Sequence, residues 1–303
     1  MLIATAPAAL AKKPAPKPKP NAELVIARLH VIGPSFVFQN ERDPNIHLGD
    51  TTLNIGTREA GPSLTKVYLE HDGKRRLLAK REVPRLDPGK RDSDTDLIVP
   101  VMDFPLGSYT LEFCADANYR YQHRPYPDQC FKHSTGDFSV IAKAWTGSIS
   151  GEYDSILGNS ETWLAPDTQL VYSGSEGGGI YSYAFVGTVT WIDAGTDEDG
   201  CTWSGSGSQS YGPQNPPIGS MSVDYKHEEY TAAFSAARPF YQAAISCPNG
   251  GSSTAASPQA IGFFASRQGG PEPLPFGSTT LPGSPNHGLL GSTFNWNLKP
   301  AAP

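Results

Sequence analysis

SLTKVYLEHDGKRRLLAKREV, residues 63–83, alternates with a period of two on either side of Asp72-Gly73. That alternation is the mark of a half-buried strand, and Asp-Gly supplies the positive φ of a two-residue hairpin turn. The stretch is therefore expected to form two antiparallel strands. On both sides of it the same signals recur. ELVIARLHVIG (23–33) is a β-rich run stopped by Gly-Pro, and HLGDTTLNIGT (47–57) is another. After a turn at Pro88-Gly89 come DLIVPV, SYTLEFCADA and DFSVI (137–141). Seven strands in about 120 residues, with regular turn signals, predict an antiparallel β-sandwich over residues 21–141.

The remainder reads the same way. AWTGSISGEYDS, YSYAFVGTVTWIDAG, CTWSGSGSQSY, GSMSVDYKHEEYTAAF, YQAAISC and STFNWNLKP alternate apolar with small or polar residues. They predict a second antiparallel β domain over 142–303, with PNGGSSTAASPQ and QGGPEPLPFGSTTLPGSPNHG as turn-rich loops. The 31 glycines and 28 prolines, close to a fifth of the chain, fit an all-β protein of short strands and many turns. The 303 residues suffice for two cores.

The net charge of −6 is unevenly spread. Residues 1–20 hold four lysines and no acid; 21–141 sum to −2 and 142–303 to −8. No part has the basic excess that tracking a nucleic-acid backbone requires. MLIATAPAALA ends in the small-x-small triplet Ala9-Leu10-Ala11, as a secretory signal does, and KKPAPKPKP (12–20) reads as an extended linker. No run of about 18 apolar residues follows, so no membrane span is expected. An exported protein is expected. The four cysteines, Cys114, Cys130, Cys201 and Cys247, suit that compartment and divide two and two between the halves. Three connectivities are possible; pairing within each half joins 114 to 130 and 201 to 247.

Several residues in the first half together resemble the bacterial cell-adhesion-related domain of CARDB type. They are Asn54-Ile55-Gly56-Thr57 with Ala60-Gly61, Lys66-Val67-Tyr68-Leu69 with Asp72-Gly73, Leu86-Asp87-Pro88-Gly89, Gly107-Ser108-Tyr109-Thr110, and Cys114-Ala115-Asp116 with Cys130. The resemblance covers residues 21–141. It implies an immunoglobulin-like sandwich of an exported protein, serving as a spacer or adhesive module. The family commonly places an acidic, Asn-rich run before the second cysteine. Here that place holds Arg120-Tyr121-Gln122-His123-Arg124-Pro125-Tyr126.

Closing this loop with a disulfide would remove about 3 kcal/mol of unfolded-chain entropy, which accounts for the cysteines without a function. Tyr119, Tyr121 and Tyr126 either fold onto the sandwich rim or form a contact surface with Arg120 and Arg124. The basic run Lys74, Arg75, Arg76, Lys80, Arg81, Arg85, Lys90, Arg91 has two readings as well. It guards a sheet edge, or it binds a polyanion.

Catalytic signals are lacking. There is no G-x-S-x-G elbow, and His227-Glu228-Glu229 lacks the second histidine of a zincin helix. No C-x-x-C or His-x-His pair is present. Asp193, Asp197, Glu198 and Asp199 before Gly200 are weak candidates for calcium. The five tryptophans are read mainly as core, with a sugar platform as the rival reading. No cofactor is expected. The function expected is non-catalytic: surface adhesion, spacing or presentation against a cell-surface protein or glycan. A carbohydrate-binding accessory module and an unrecognised hydrolase in the second half are the alternatives.

Overall fold

The computed structural model describes residues 21–39, 41, 45–100, 104–115, 130–132, 138–154, 160–212, 219–234, 242–256, 271–282, 286–287 and 293–302. The protein is all-β, and among the described residues it contains no helix. The first nine strands are β1 (Leu24–Ile32), β2 (Phe36–Phe38), β3 (Asn45–Asn54), β4 (Ser63–His71), β5 (Lys74–Val83), β6 (Arg91–Pro100), β7 (Gly107–Cys114), β8 (Cys130–Lys132) and β9 (Phe138–Ile141). They form two layers: β1-β3-β6, and β2-β9-β7-β4-β5 with β8 on β7. The described pairs are antiparallel except β2 with β9. In β4 every second residue from Ser63 to Leu69 is buried, as the period-two pattern requires. Asp72 and Gly73 take φ of 47° and 73° between the paired residues His71 and Lys74, forming the expected tight turn.

Between the layers lie Leu24, Ile26, Leu48 and Val99 from one sheet and Val67, Leu69, Leu111 and Phe113 from the other, all buried. The Tyr109 hydroxyl donates to the Pro105 carbonyl at 2.7 Å, the tyrosine-corner contact of immunoglobulin-like sandwiches. Two short strands, β2 and β8, add to the seven expected from the alternation. β6 begins at Arg91, so the acidic run Asp92-Ser93-Asp94 is part of the strand.

Sheet membership changes between Ile141 and Ala144. The strands that follow are β10 (Ala144–Asp154), β11 (Ser160–Gly177), β12 (Ile180–Thr196), β13 (Thr202–Tyr211), β14 (Gly219–Asp224), β15 (Glu229–Phe234), β16 (Gln242–Ser246), β17 (Ser252–Ala256), β18 (Glu272–Pro273), β19 (Leu281–Pro282), β20 (Asn286–His287) and β21 (Thr293–Pro300). They make one sheet in the order β17-β16-β13-β12-β11-β10-β21-β19, with β14, β15 and β18 branching from β12 and β20 from β21. The centre is a long hairpin, β11–β12. β12 pairs with β13 from Gly187 onward and with β14 over Ile180–Ala184. The sheet therefore divides along β12. Its two arms close over a common core, where Trp296 of β21 donates to the Tyr230 hydroxyl of β15 at 3.0 Å.

β11 is absent from the sequence reading. Pro166 lies inside it, and its pairing with β12 skips from Leu164 to Gln169, which places the proline at an irregularity where no ladder donor is needed. GSMSVDYKHEEYTAAF is two strands joined by a turn at 225–228, and the loop expected at 248–259 contains β17.

The two sheet systems share one apolar core. Phe36 and Phe38 of β2 meet Tyr172 and Tyr181 at ring distances of 5.3–5.5 Å. The Ala142 carbonyl accepts from the Tyr183 hydroxyl at 2.9 Å, and its amide donates to the Tyr225 hydroxyl at 3.3 Å. Segment 271–280, expected to be a loop, lies against the sandwich. Phe276 stacks on His71 at 3.6 Å, and the Gly277 amide donates to the Leu106 carbonyl at 2.8 Å.

Candidate functional site

Asp197 organises the β12–β13 turn. Its Oδ1 accepts from the amides of Asp199 at 3.0 Å and Cys201 at 2.8 Å, and Gly200 adopts φ 76°. That oxygen is committed to the turn. Asp193 is buried within β12. Just beyond the turn, Cys201 is bonded to Cys247, which follows β16. This bond closes a loop worth about 4 kcal/mol of unfolded-chain entropy. The turn and the disulfide together hold β12, β13 and β16 in line at this end of the sheet.

Next to them is a groove of about 640 Å3. Ser160, Thr196, Thr202, Trp203, Ser204 and Ser246 are among the residues lining it, and none of its lining residues titrates. Register explains its form. Trp203 pairs with Gly195 on β12 and Ile245 on β16, and Gly205 follows two positions along its own strand. Cross-strand partners share a face, so glycines flank the indole, which stays half-buried. The Thr202 hydroxyl donates to the Ser246 carbonyl at 3.3 Å across the β13–β16 pair. Thr202 and Ser204, with their partners Thr196 and Ser246, face the other side of the sheet from the indole, so the lining offers hydroxyls on one face and an aromatic ring on the other. The other four tryptophans, Trp145, Trp163, Trp191 and Trp296, are buried.

Tyr119, Arg120, Tyr121, Arg124 and Tyr126 lie outside the described residues. Their anchor is described: Cys114 pairs with Cys130 across β7–β8 and is bonded to it. Four of the eight residues of the basic run are engaged within the protein. Arg75 pairs with Glu112 at 3.0 Å and Arg85 with Glu59, while Arg76 lies 4.4 Å over the Phe104 ring. Arg81 turns inward. It is 7 % exposed and bonds Asp50 through Nε at 2.8 Å and Nη2 at 2.7 Å. Burial alone would lower its pKa, but hydrogen bonds and charge from Asp50 and Asp92 outweigh this and raise it.

Among the described residues, two groups of three metal-ligating side chains converge: Glu112 with Cys114 and Cys130, and His71 with Asp72 and Glu228. The sulfurs of the first are joined in a disulfide and offer no thiolate. The second went unseen in the sequence because Glu228 comes from the other sheet system. The only local hint was the pair of His-acid dipeptides, His71-Asp72 and His227-Glu228.

No protein-family model matches the chain, and no curated protein matches it. Among solved structures, the chain is similar to the CARDB domain of a Pyrococcus furiosus protein, solved in complex with di-metal ions. Identity is 17 % over 41 % of this chain and 98 % of that one, with a TM-score of 0.29. The assignment of an immunoglobulin-like sandwich rests on the strands, the two layers and the tyrosine corner. Among the described residues no helix is long and apolar enough to cross a membrane.

Proposed function

We propose that the protein is an exported, non-catalytic adhesion protein that holds a saccharide in the groove at Trp203. The groove carries this reading: it offers serine and threonine hydroxyls and strand backbone, with no acid, base or activated nucleophile among its lining residues. Sugar hydroxyls both donate and accept, and so exchange hydrogen bonds with such a lining. Two disulfides and the small-x-small triplet at residues 9–11 support export. A glycan array probed with the full chain tests the reading. A defined set of saccharides should bind, and Thr202→Val combined with Ser204→Ala should weaken binding about tenfold, the effect of about 1.4 kcal/mol of lost hydrogen bonding. A chain that binds no saccharide, or binds equally well without those two hydroxyls, refutes it.

A second reading, a rigid spacer that presents another partner, is favoured by the docking of segment 271–280 on the sandwich. It predicts an empty array.

A further inference from the structure

We propose that His71, Asp72 and Glu228 form a binding site for a divalent transition cation, Zn2+ by its chemistry, which clips the sandwich to the second sheet. His71 ends β4, Asp72 opens the β4–β5 turn, and Glu228 closes the turn between β14 and β15. The His71 Nδ1 lies 3.1 Å from the Ser108 carbonyl. A carbonyl only accepts, so Nδ1 donates to it and Nε2 is the nitrogen turned toward the carboxylates. Nε2 faces the Asp72 Oδ2 at 3.6 Å and the Glu228 Oε1 at 3.5 Å. The three ligand atoms lie within 4.8 Å of one another, and electron pairs gathered so closely call for a positive centre between them.

The spacing selects the centre. A protonated Nε2 bonded to a carboxylate would stand about 2.7–2.9 Å from it and could direct its single N–H at only one. Nitrogen and oxygen donors held tetrahedrally at about 2.0–2.1 Å from an ion are about 3.3–3.4 Å from each other. The observed separations lie close to the second value. One imidazole and two carboxylates suit Zn2+, whereas Ca2+ and Mg2+ favour oxygen-only sets.

Supporting contacts fix the donors. The ring is held by the Ser108 carbonyl and by Phe276, parallel within 13°. The second Glu228 oxygen accepts from the Phe276 amide at 3.2 Å, and the Glu228 carbonyl accepts from Leu274 at 2.7 Å. Such outer bonds orient ligands around metals. Asp72 and Glu228 are also the non-glycine residues with positive φ among the described residues, at 47° and 56°. The Asp-Gly turn accounts for Asp72. Glutamate has no such preference, and its conformation is held by the contacts to 274–276. Asp72 is 85 % exposed, which leaves the ion open to water and exchange.

Titration calorimetry on the EDTA-treated full chain should show one Zn2+ per molecule and a raised melting temperature, with no response to Ca2+ at equal concentration. Co2+ should give the intense visible absorption of a tetrahedral ion. His71→Gln and Glu228→Gln should each weaken Zn2+ at least tenfold, and Asp72→Asn severalfold, while saccharide binding at Trp203 is unchanged. Absence of Zn2+ uptake, or uptake that all three variants leave intact, overturns the site. The second result would place the ion on other histidines, and the first would leave His71 as a simple ion-pair partner. Asp72→Asn, exposed and in a turn that asparagine also favours, decides the matter should the other two fail to fold.

Discussion

Arg81 shows how far a single side chain departs from its neighbours. It lies in a run of basic residues on the edge strand β5, yet it crosses the sandwich to Asp50 and Thr52 of β3 and Asp92 of β6. Thr52 passes the network on to Thr65 of β4 at 2.9 Å, so both layers take part. The fork of the guanidinium meets both Asp50 oxygens, which a lysine cannot reproduce. Arg81→Ala should therefore destabilise the protein by about 3–5 kcal/mol, because Asp50 is left as an uncompensated buried charge. Arg81→Lys should recover part of that loss. Urea unfolding of the two variants measures both values, and a neutral Arg81→Ala would contradict the network's role. Arg81 shares the inward face of β5 with Val83, but a charge run on an edge strand reads as solvated. Nothing local marks which of eight cations finds a carboxylate inside.

At the scale of elements, one row across the second sheet sets its packing. Gly151, Trp163, Trp191 and Gly207 are consecutive cross-strand partners on β10, β11, β12 and β13. Each indole takes the space that a side chain on the outer glycine would fill. A Cβ on Gly151 would stand 2.2 Å from the Trp163 Nε1, and one on Gly207 2.6 Å from the Trp191 Cζ2. Gly207→Ala should force the Trp191 ring from its place and cost about 1–3 kcal/mol, as overpacking does. The near-ultraviolet circular dichroism and the unfolding midpoint should change together; a wild-type spectrum with wild-type stability would show that the row yields. The SGSGSQSY pattern of β13 thus has a packing reason on one face. Its serines occupy the exposed face.

Across the whole molecule, the joint at Ala142 makes stability depend on alkaline pH. Burial pushes the Tyr225 hydroxyl up to about 12, and burial also raises Tyr183, which bonds the Ala142 carbonyl. Unfolded tyrosines ionise near pH 10. Between pH 10 and pH 12 the unfolded chain therefore loses protons that folded Tyr225 retains. Stability is full below pH 10 and falls as pH rises through that window, by about 1.4 kcal/mol per pH unit for each retained proton. Melting curves across the window should show the decline, and Tyr225→Phe should flatten it while lowering stability at neutral pH by about 1 kcal/mol through lost hydrogen bonds. An unchanged alkaline slope in that variant would remove Tyr225 as the cause.

The all-β class, the β4–β5 hairpin with its Asp72-Gly73 turn and the burial of most tryptophans were determined by the sequence itself. Alternation and turn chemistry act between residues a few positions apart, so they are readable without the fold. The tertiary structure alone decided the path of β11 through Pro166, the inward course of Arg81, the seating of segment 271–280 on the sandwich and the meeting of His71 with Glu228. Each of these depends on register between distant strands and on how two sheet systems share one core. A proline inside a strand is acceptable only where the ladder skips a bond, and a loop docks only where a surface such as Gly107 leaves room for Phe276. Such facts arise from packing, which no local pattern encodes.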